Sequence, residues 1–241
     1  MIAAATVHTH MSDDDVPDPR DGPLAALRWI RRTDNEAVVI AREVVSSALV
    51  VALVGLLLFA VSGLWPPLVA VESGSMTPHL QKGDLVFVIE EHRYDGDAGY
   101  AHTGVVTHRT GAQTGYATFG EPGDVLVYRP DGNGRATPVI HRARFWVSKG
   151  ENWYGEANRS YVDGASSCDE VDYCPAPHAG FITKGDSNGY YDQVRDISSP
   201  VKPSWIKGTA AFRVPWLGWV RLAVTGEATL SVDDGGVTAA V

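Results

Sequence analysis

The sequence predicts a mainly β domain carried on one N-terminal transmembrane helix. An uncharged run of 27 residues, Val44 to Ala70, is long enough to cross a bilayer core as a helix. After this run, short stretches rich in Val, Ile, Thr and aromatic residues alternate with Gly, Pro, Asp and Asn, which is typical of strands and turns. At 241 residues the chain has room for one sizeable domain plus such an anchor.

The segment before the span divides in two. Residues 1–22 show no hydrophobic period and are predicted to form a disordered cytoplasmic tail. Residues 23–70 are predicted to form a helix leading into the span, which we place at about residues 44–65. A cleaved signal peptide is the alternative, but its apolar region would be only about 7 to 15 residues long and would lie nearer the start of the chain.

Charges around the span predict its orientation. The basic residues that precede it are Arg28, Arg31, Arg32 and Arg42. Its far side opens with Glu72 and contains no Lys or Arg before Lys82. By the positive-inside rule, the N-terminus is expected in the cytoplasm and the domain outside, which makes the chain a single-pass protein of the cell membrane.

The outer domain is predicted to cover residues 71–225, followed by a C-terminal tail at 226–241. Two turn-rich stretches, Glu91 to Tyr100 and residues 151–179, look like insertions. The predicted strands are Leu85–Ile89, Gly104–Thr107, Val125–Tyr128, Val139–Trp146, Phe181–Lys184 and Thr209–Val214. The apolar stretch Phe212 to Leu222 is too short to cross a membrane and is either a bilayer-surface contact or a buried strand and turn.

Composition and cysteines limit the ligands. The net charge is -9 and no Lys/Arg-rich block occurs, so we expect no nucleic acid partner. Cys168 and Cys174 lie in the segment predicted to be outside, where a disulfide between them is one of two equal alternatives. A zinc site would need four ligands. Besides the two cysteines, the only candidate ligands nearby are His178 and several carboxylates, so we expect no metal.

Three separated stretches could supply chemistry. Ser75 lies in "SGSM" close after the span, and a serine hydroxyl becomes a nucleophile only when a base takes its proton. Among eight histidines, His141 is embedded in the strand "PVIHRARFWV", whereas His79 lies in a turn and is expected to be solvated. A neutral strand imidazole suits base catalysis near neutral pH, although a hydrogen-bonded structural histidine is the commoner case.

The third stretch is "TKGDSNGYYDQ", in which Asp186 and Asp192 lie six residues apart. Either carboxylate could hold an imidazole in the required tautomer, but aspartates in turns are usually turn formers or caps. Taken alone, each of the three stretches is therefore weak evidence for catalysis.

Taken in order, the stretches resemble the consecutive sequence boxes of signal peptidase I. The boxes are "SGSMTPHLQKGDLVFV", "GDVLVYRP", "VIHRARFWVSKGEN", "FITKGDSNGYYD" and "GTAAFRVPWLGWV". The histidine at position 141, where bacterial members carry lysine, is similar to the archaeal and endoplasmic reticulum branch. The resemblance implies a signal-peptidase-like β-rich catalytic domain and a serine endopeptidase that needs no cofactor.

The resemblance also assigns roles to residues. It implies Ser75 as nucleophile, His141 as general base and Asp192 as the triad carboxylate, with Asp186 as a supporting acid. Members often carry Asp-Asp where this chain has Tyr191-Asp192, so the choice between Asp186 and Asp192 stays open. We expect the Ser75 N–H, helped by the Ser73 hydroxyl, to stabilise the oxyanion.

The implied partners are secretory preproteins, the lipid bilayer and, as a further candidate, the protein translocation machinery. Signal peptides would be cut after small residues and would pair with an extended strand. We expect that strand to contain Asp84, Leu85, Val86 and Phe87.

Two other functions fit parts of the sequence. A non-catalytic membrane-tethered β domain, serving as a receptor or assembly subunit, would not need Ser75. A self-cleaving serine-lysine protease of the phage-repressor type would need a lysine at position 141, and the neighbouring Arg142 cannot act as a base.

Overall fold

The structure is a computed structural model that describes residues 22–91, 103–225, 229–233 and 236–240. The chain forms two units, Met1–Leu57 and Leu58–Val241, which are described separately. Most of the predicted cytoplasmic tail, and most of the predicted insertion from Glu91 to Tyr100, lie outside the described residues.

The N-terminal helical segment contains two helices where the sequence predicted one. Helix α1 covers Pro23–Arg32 and helix α2 covers Glu36–Ser62. The break occurs because Thr33 is extended and Asn35 caps α2, its side-chain oxygen accepting the Ala37 N–H at 3.1 Å. Among the described residues, α2 is the helix long and apolar enough to cross a membrane.

The second unit is built on a six-stranded antiparallel sheet with the order β1-β2-β8-β5-β6-β7. Its strands are β1 Leu68–Ala70, β2 Leu85–Ile89, β5 Val125–Tyr128, β6 Val139–Val147, β7 Gly180–Lys184 and β8 Ile206–Val214. Five of the six predicted strands are confirmed with bounds within three residues. The order places sequence-distant strands side by side, because β8 separates β2 from β5.

Three segments differ from the predictions. Gly104–Thr107 is not a strand but leads into helix α3, His108–Thr114, where the Thr107 hydroxyl accepts the Thr110 N–H. Strand β1 lies inside the uncharged run that we had assigned to the helical segment, so the sheet begins before residue 71. The predicted C-terminal tail contains two paired strands, β9 Thr229–Asp233 and β10 Gly236–Ala240.

The remaining elements are short. Strands β3 Ala117–Thr118 and β4 Glu121–Pro122 form a small hairpin. One-turn 3-10 segments cover Pro130–Gly132, Trp153–Gly155, Arg159–Tyr161, Cys168–Glu170, Asp192–Val194 and Pro203–Trp205. With roughly 36% helix and 21% strand, the content is mixed, so the prediction of a mainly β chain is confirmed only in part: the second unit contains a six-stranded antiparallel sheet.

The apolar stretch at the end of β8 is neither fully buried nor a simple turn. It continues into helix α4, Leu217–Thr225, whose Leu222 packs against Ala70 and Leu85. Trp216 and Val224 on the same stretch are 76% and 83% exposed.

The predicted insertion at 151–179 is ordered and packs against the sheet. Buried Trp153, Val162 and Val171 pack with Phe145 of β6 and with Tyr191. Cys168 and Cys174 form a disulfide, which settles the alternative left open by the sequence. The insertion is therefore an ordered extension of the sheet's core.

Candidate active site

The turn that carries Ser75 follows β1 and is anchored by side chains buried in the core. Met76 and Leu80 are 1% and 0% exposed and pack in the core beneath the sheet. The Thr77 N–H and hydroxyl both bond to the Gly74 carbonyl, at 3.1 and 2.9 Å. Ser75 lies between Gly74 and the buried Met76 and is itself half-buried.

Strand β6 supplies His141, its third residue. His141 pairs with Leu126 of β5 and is only 4% exposed. Its neighbour on the strand, Arg142, is fully buried. Both positions are held by the pairing of β6 with β5, so their side chains project from a rigid element.

Ser75, His141 and Asp192 form one hydrogen-bonded chain. His141 Nε2 lies 2.9 Å from Ser75 Oγ, and His141 Nδ1 lies 2.8 Å from each carboxylate oxygen of Asp192. Asp192, in the 3-10 turn after β7, is fully buried. With its proton on Nδ1, the imidazole donates to the carboxylate and its Nε2 can accept the serine proton.

The Ser75 hydroxyl has a second polar neighbour. Ser73 Oγ lies 3.1 Å from Ser75 Oγ, within hydrogen-bonding distance. The Ser75 carbonyl accepts the Ser187 N–H at 3.0 Å, and the Ser187 hydroxyl donates to the Gly74 carbonyl at 2.9 Å. These bonds tie the serine turn to the loop that leads to Asp192.

Asp186 is part of a different network. Its two carboxylate oxygens accept from Arg142 Nε and Nη2 at 2.8 and 2.7 Å, and Oδ2 also lies 2.9 Å from His79 Nδ1. Burial by itself would raise the pKa of Asp186, but the bonds and charges of Arg142 and His79 outweigh burial and lower it. His79 is therefore engaged with a carboxylate and not merely solvated, which corrects the sequence interpretation.

Arg142 links Asp186 to a neighbouring hairpin. Its Nη1 donates to the carbonyls of Gly123, Thr118 and Glu121 at 2.8, 3.1 and 3.2 Å. Such a guanidinium fixes the loop around Asp186 against the β3–β4 hairpin.

A cavity of about 650 Å³ opens beside Ser75 and His141. The segment from Val69 to Ser73 and the segment from Thr137 to Ile140 both line it. Apolar side chains, including Met76 and Val127, line it as well. A cavity of this size and apolar character is typical of a ligand site.

Strand β2, which the sequence predicted to pair with substrate, has no free edge. Leu85, Val86 and Phe87 pair with β1 on one side and with β8 on the other, so both main-chain edges are occupied. Asp84 is buried and accepts from the Gln81 N–H and from Arg213. Leu85, Val86 and Phe87 therefore cannot pair with a further strand, and Asp84 lies in the turn before them.

Two residues of the site, Tyr128 and Arg142, have contacts that the sequence did not predict. Tyr128 Oη lies 2.8 Å from Asp192 Oδ2, and both residues are 0% exposed. A tyrosine at the end of a strand reads as core, so no local signal marked it. The only clue was its place in the box "GDVLVYRP", next in order to that of His141.

No family model matches this chain, and no curated protein matches it significantly. Within the described part of the chain, no cluster of three or more His, Cys, Asp or Glu side chains is arranged to hold a metal ion.

Proposed function

We propose that this chain is a membrane-bound serine endopeptidase that removes signal peptides from exported preproteins. The observation that carries the proposal is the hydrogen-bonded chain from Ser75 through His141 to the buried Asp192, beside an apolar cavity. The ordered sequence boxes that resemble signal peptidase I supply the substrate class and the expected signal-peptidase-like fold.

The mechanism follows from the atoms in contact. Ser75 Oγ attacks the scissile carbonyl while His141 Nε2 takes its proton and then delivers it to the leaving amine. Asp192 holds the imidazole in the tautomer with the proton on Nδ1 and stabilises the imidazolium that forms. Water then attacks the acyl-enzyme carbonyl while His141 Nε2 takes a proton from it, and that proton passes to Ser75 Oγ as the ester bond to the serine breaks and the new carboxyl terminus leaves.

The oxyanion has two candidate donors. Within the described residues, the Ser75 N–H donates no hydrogen bond, so it is available to the developing negative charge. The Ser73 hydroxyl is 3.1 Å from Ser75 Oγ and can donate from beside the nucleophile. One such donor typically contributes about 3 kcal/mol to the lowering of the barrier.

The free strand edges, rather than β2, suit an extended substrate. Strand β1 ends the sheet, so its outer edge is unpaired among the described strands. Across the cavity, β6 pairs with β7 only from Arg142 onward, which leaves the edge of Val139 to His141 open. A peptide lying between these two edges would present its carbonyl to Ser75 and its side chains to the apolar cavity.

The membrane assignment rests on α2. Its length and composition suit a bilayer span, and the charge asymmetry around it favours an outer location for the second unit. The last helical residue, Ser62, bonds through its hydroxyl to the Val88 carbonyl of β2 at 2.6 Å. The cleavage site of a signal peptide emerges at such a membrane surface.

The serine-lysine alternative is disfavoured by the position of Lys184. Its ammonium donates to the carbonyls of Gly185, Asp186 and Asn188 at 2.7, 3.2 and 2.7 Å, which engages all three of its protons. Burial, helped by the charge of Arg144, lowers the pKa of Lys184, but Ser75 Oγ contacts His141 and not this lysine.

The test is cleavage of a secretory preprotein by proteoliposomes that contain the full chain. We expect Ser75→Ala and His141→Ala to lose about 10⁴-fold or more in cleavage rate. A matched control is His178→Ala, because His178 also bonds to a serine, Ser199, at 3.2 Å but lies outside the proposed site. Full cleavage by Ser75→Ala would refute the mechanism. Wild-type proteoliposomes that cleave no more than empty ones would favour the non-catalytic tethered domain.

A further inference from the structure

The Asp192 carboxylate has a second donor besides the histidine. Tyr128 Oη lies 2.8 Å from Asp192 Oδ2, while His141 Nδ1 lies 2.8 Å from both oxygens. An ionised carboxylate only accepts hydrogen bonds, so the phenol is the donor. Asp192 is thus held from two sides by groups that are both almost completely buried.

Tyr128 is built to remain a donor. Burial, together with the Asp192 charge, raises the pKa of Tyr128 well above its ordinary value, so the phenol keeps its proton. The charged groups that face it are Asp192 from the segment after β7 and Asp131 from the turn after β5. Both are carboxylates, and both disfavour loss of the phenolic proton.

The position of the phenol is fixed by the sheet and by a second bond. Tyr128 pairs with Val139 of β6 and with Ile206 of β8. The Thr183 hydroxyl donates to Tyr128 Oη at 3.3 Å, and Gln193 Nε2 donates to Thr183 Oγ1 at 3.4 Å. Strand pairing and this buried chain leave the phenol little freedom to rotate.

We infer that Tyr128 is a positioning residue for the proposed Ser75–His141–Asp192 site, an inference that rests on the proposed function. Its hydroxyl orients the Asp192 carboxylate and takes up part of its negative charge. Without that bond, the carboxylate can rotate and the imidazole is held less firmly in its working tautomer. Its undiminished charge would also favour the protonated imidazole up to a higher pH.

The test compares two tyrosine-to-phenylalanine changes in the full chain. Tyr128→Phe removes only the hydroxyl, and we expect kcat to fall about 10-fold with KM unchanged. We also expect the acid limb of the kcat pH profile to move to higher pH. The matched control is Tyr116→Phe, because Tyr116 Oη lies 2.8 Å from the buried Asp124, which does not contact His141.

A purely structural role for Tyr128 predicts a different result. It would lower the amount of folded protein without moving the pH profile of the remaining active molecules. If Tyr128→Phe folds poorly, Thr183→Val can be tested instead, because it removes the hydroxyl that donates to Tyr128 Oη. It should move the acid limb of the kcat pH profile in the same direction by a smaller amount.

The outcomes separate this inference from the proposed function. Wild-type kcat and pH profile in Tyr128→Phe, with Ser75→Ala inactive, overturn the inference alone. Equal losses in Tyr128→Phe and Tyr116→Phe overturn it as well. Retained cleavage by Ser75→Ala overturns both proposals.

Discussion

Two histidine–carboxylate pairs lie near Ser75, and they differ in the group that the second ring nitrogen of each imidazole contacts. In His141–Asp192, the Nδ1 contact is 2.8 Å and Nε2 faces the Ser75 hydroxyl at 2.9 Å. In His79–Asp186, the Nδ1 contact is 2.9 Å, but Nε2 lies 3.9 Å from a Glu121 oxygen. The two pairs therefore look alike until the group beyond the ring is considered.

The two carboxylates also differ in their other partner. Asp192 accepts from the neutral Tyr128 phenol, which leaves most of its charge to act on His141. Asp186 accepts two bonds from the Arg142 guanidinium, which cancels that charge. A carboxylate can stabilise a catalytic imidazolium when no neighbouring cation neutralises its charge. A carboxylate that is already paired with a cation serves a structural role instead.

The largest expected difference between the pairs is catalytic. Asp192→Asn should lower kcat by about 10⁴-fold, because an amide holds the imidazole in the wrong tautomer. Asp186→Asn should lower the kcat of the folded fraction by no more than about 10-fold, because Asp186 does not contact His141. Single-turnover cleavage by both variants measures this, and a reversed order would exchange the roles we assign to the two aspartates.

The second difference concerns stability. Asp186→Asn leaves the buried Arg142 without its carboxylate, and we expect a loss of about 3–5 kcal/mol in the free energy of unfolding. Glu121→Gln is the matched control, since Glu121 lies near His79 but its side chain does not bond to Arg142. Denaturant unfolding in detergent, followed by tryptophan fluorescence, measures both. Equal stability of Asp186→Asn and the wild type would contradict the structural role.

The same pair predicts an acid limit. Because the folded state lowers the pKa of Asp186, its stabilisation is present above the ordinary carboxyl pKa near 4 and is lost as pH falls through the lower folded value. The loss should therefore appear below about pH 4 and be absent from Asp186→Asn.

A third histidine reports on the charge around Arg142. Burial, reinforced by Arg144 and Arg142, lowers the pKa of His108 to about 4. Its neutral form contributes stability that is complete above about pH 6.5 and is lost as pH falls from there towards 4. In His108→Gln the unfolding free energy should fall less over this window, and an unchanged slope would contradict the assignment.

The smallest effect is expected at His79. His79→Asn keeps a donor near Asp186, so we expect less than about a 5-fold change in kcat and no movement of the acid limb. A pH–rate profile of cleavage checks this. A loss as large as that of His141→Ala would make the two pairs functionally equivalent.

The sequence predicted what depends on local pattern. Gly-Asp turns before apolar runs marked β2 and β5 at their observed bounds. The residue types and the order of the boxes were enough to identify Ser75, His141 and Asp192 as candidate catalytic residues. Strand β1 was missed because three apolar residues after a span are indistinguishable from its continuation.

What depends on long-range pairing could not be predicted. The substrate strand was wrong because β2 looks like an edge until β8, more than 110 residues away, is known to cover it. The choice between Asp186 and Asp192 required knowing that Arg142 points at one and His141 at the other. Two adjacent residues of β6 thus bind different carboxylates, His141 binding Asp192 and Arg142 binding Asp186. The spacing of these residues in the sequence does not reveal that pairing.

The aromatic side chains that pack against Tyr191 have a consequence for how this region can vary. Tyr191 packs edge-on against Trp153 and Tyr161, both contributed by the insertion, and its hydroxyl accepts the Asn158 N–H. The residue before Asp192 therefore depends on the insertion for its packing. In any homologue without such an insertion, a tyrosine at this position would be exposed to water, so we expect a polar residue such as aspartate there and expect the two features to occur together.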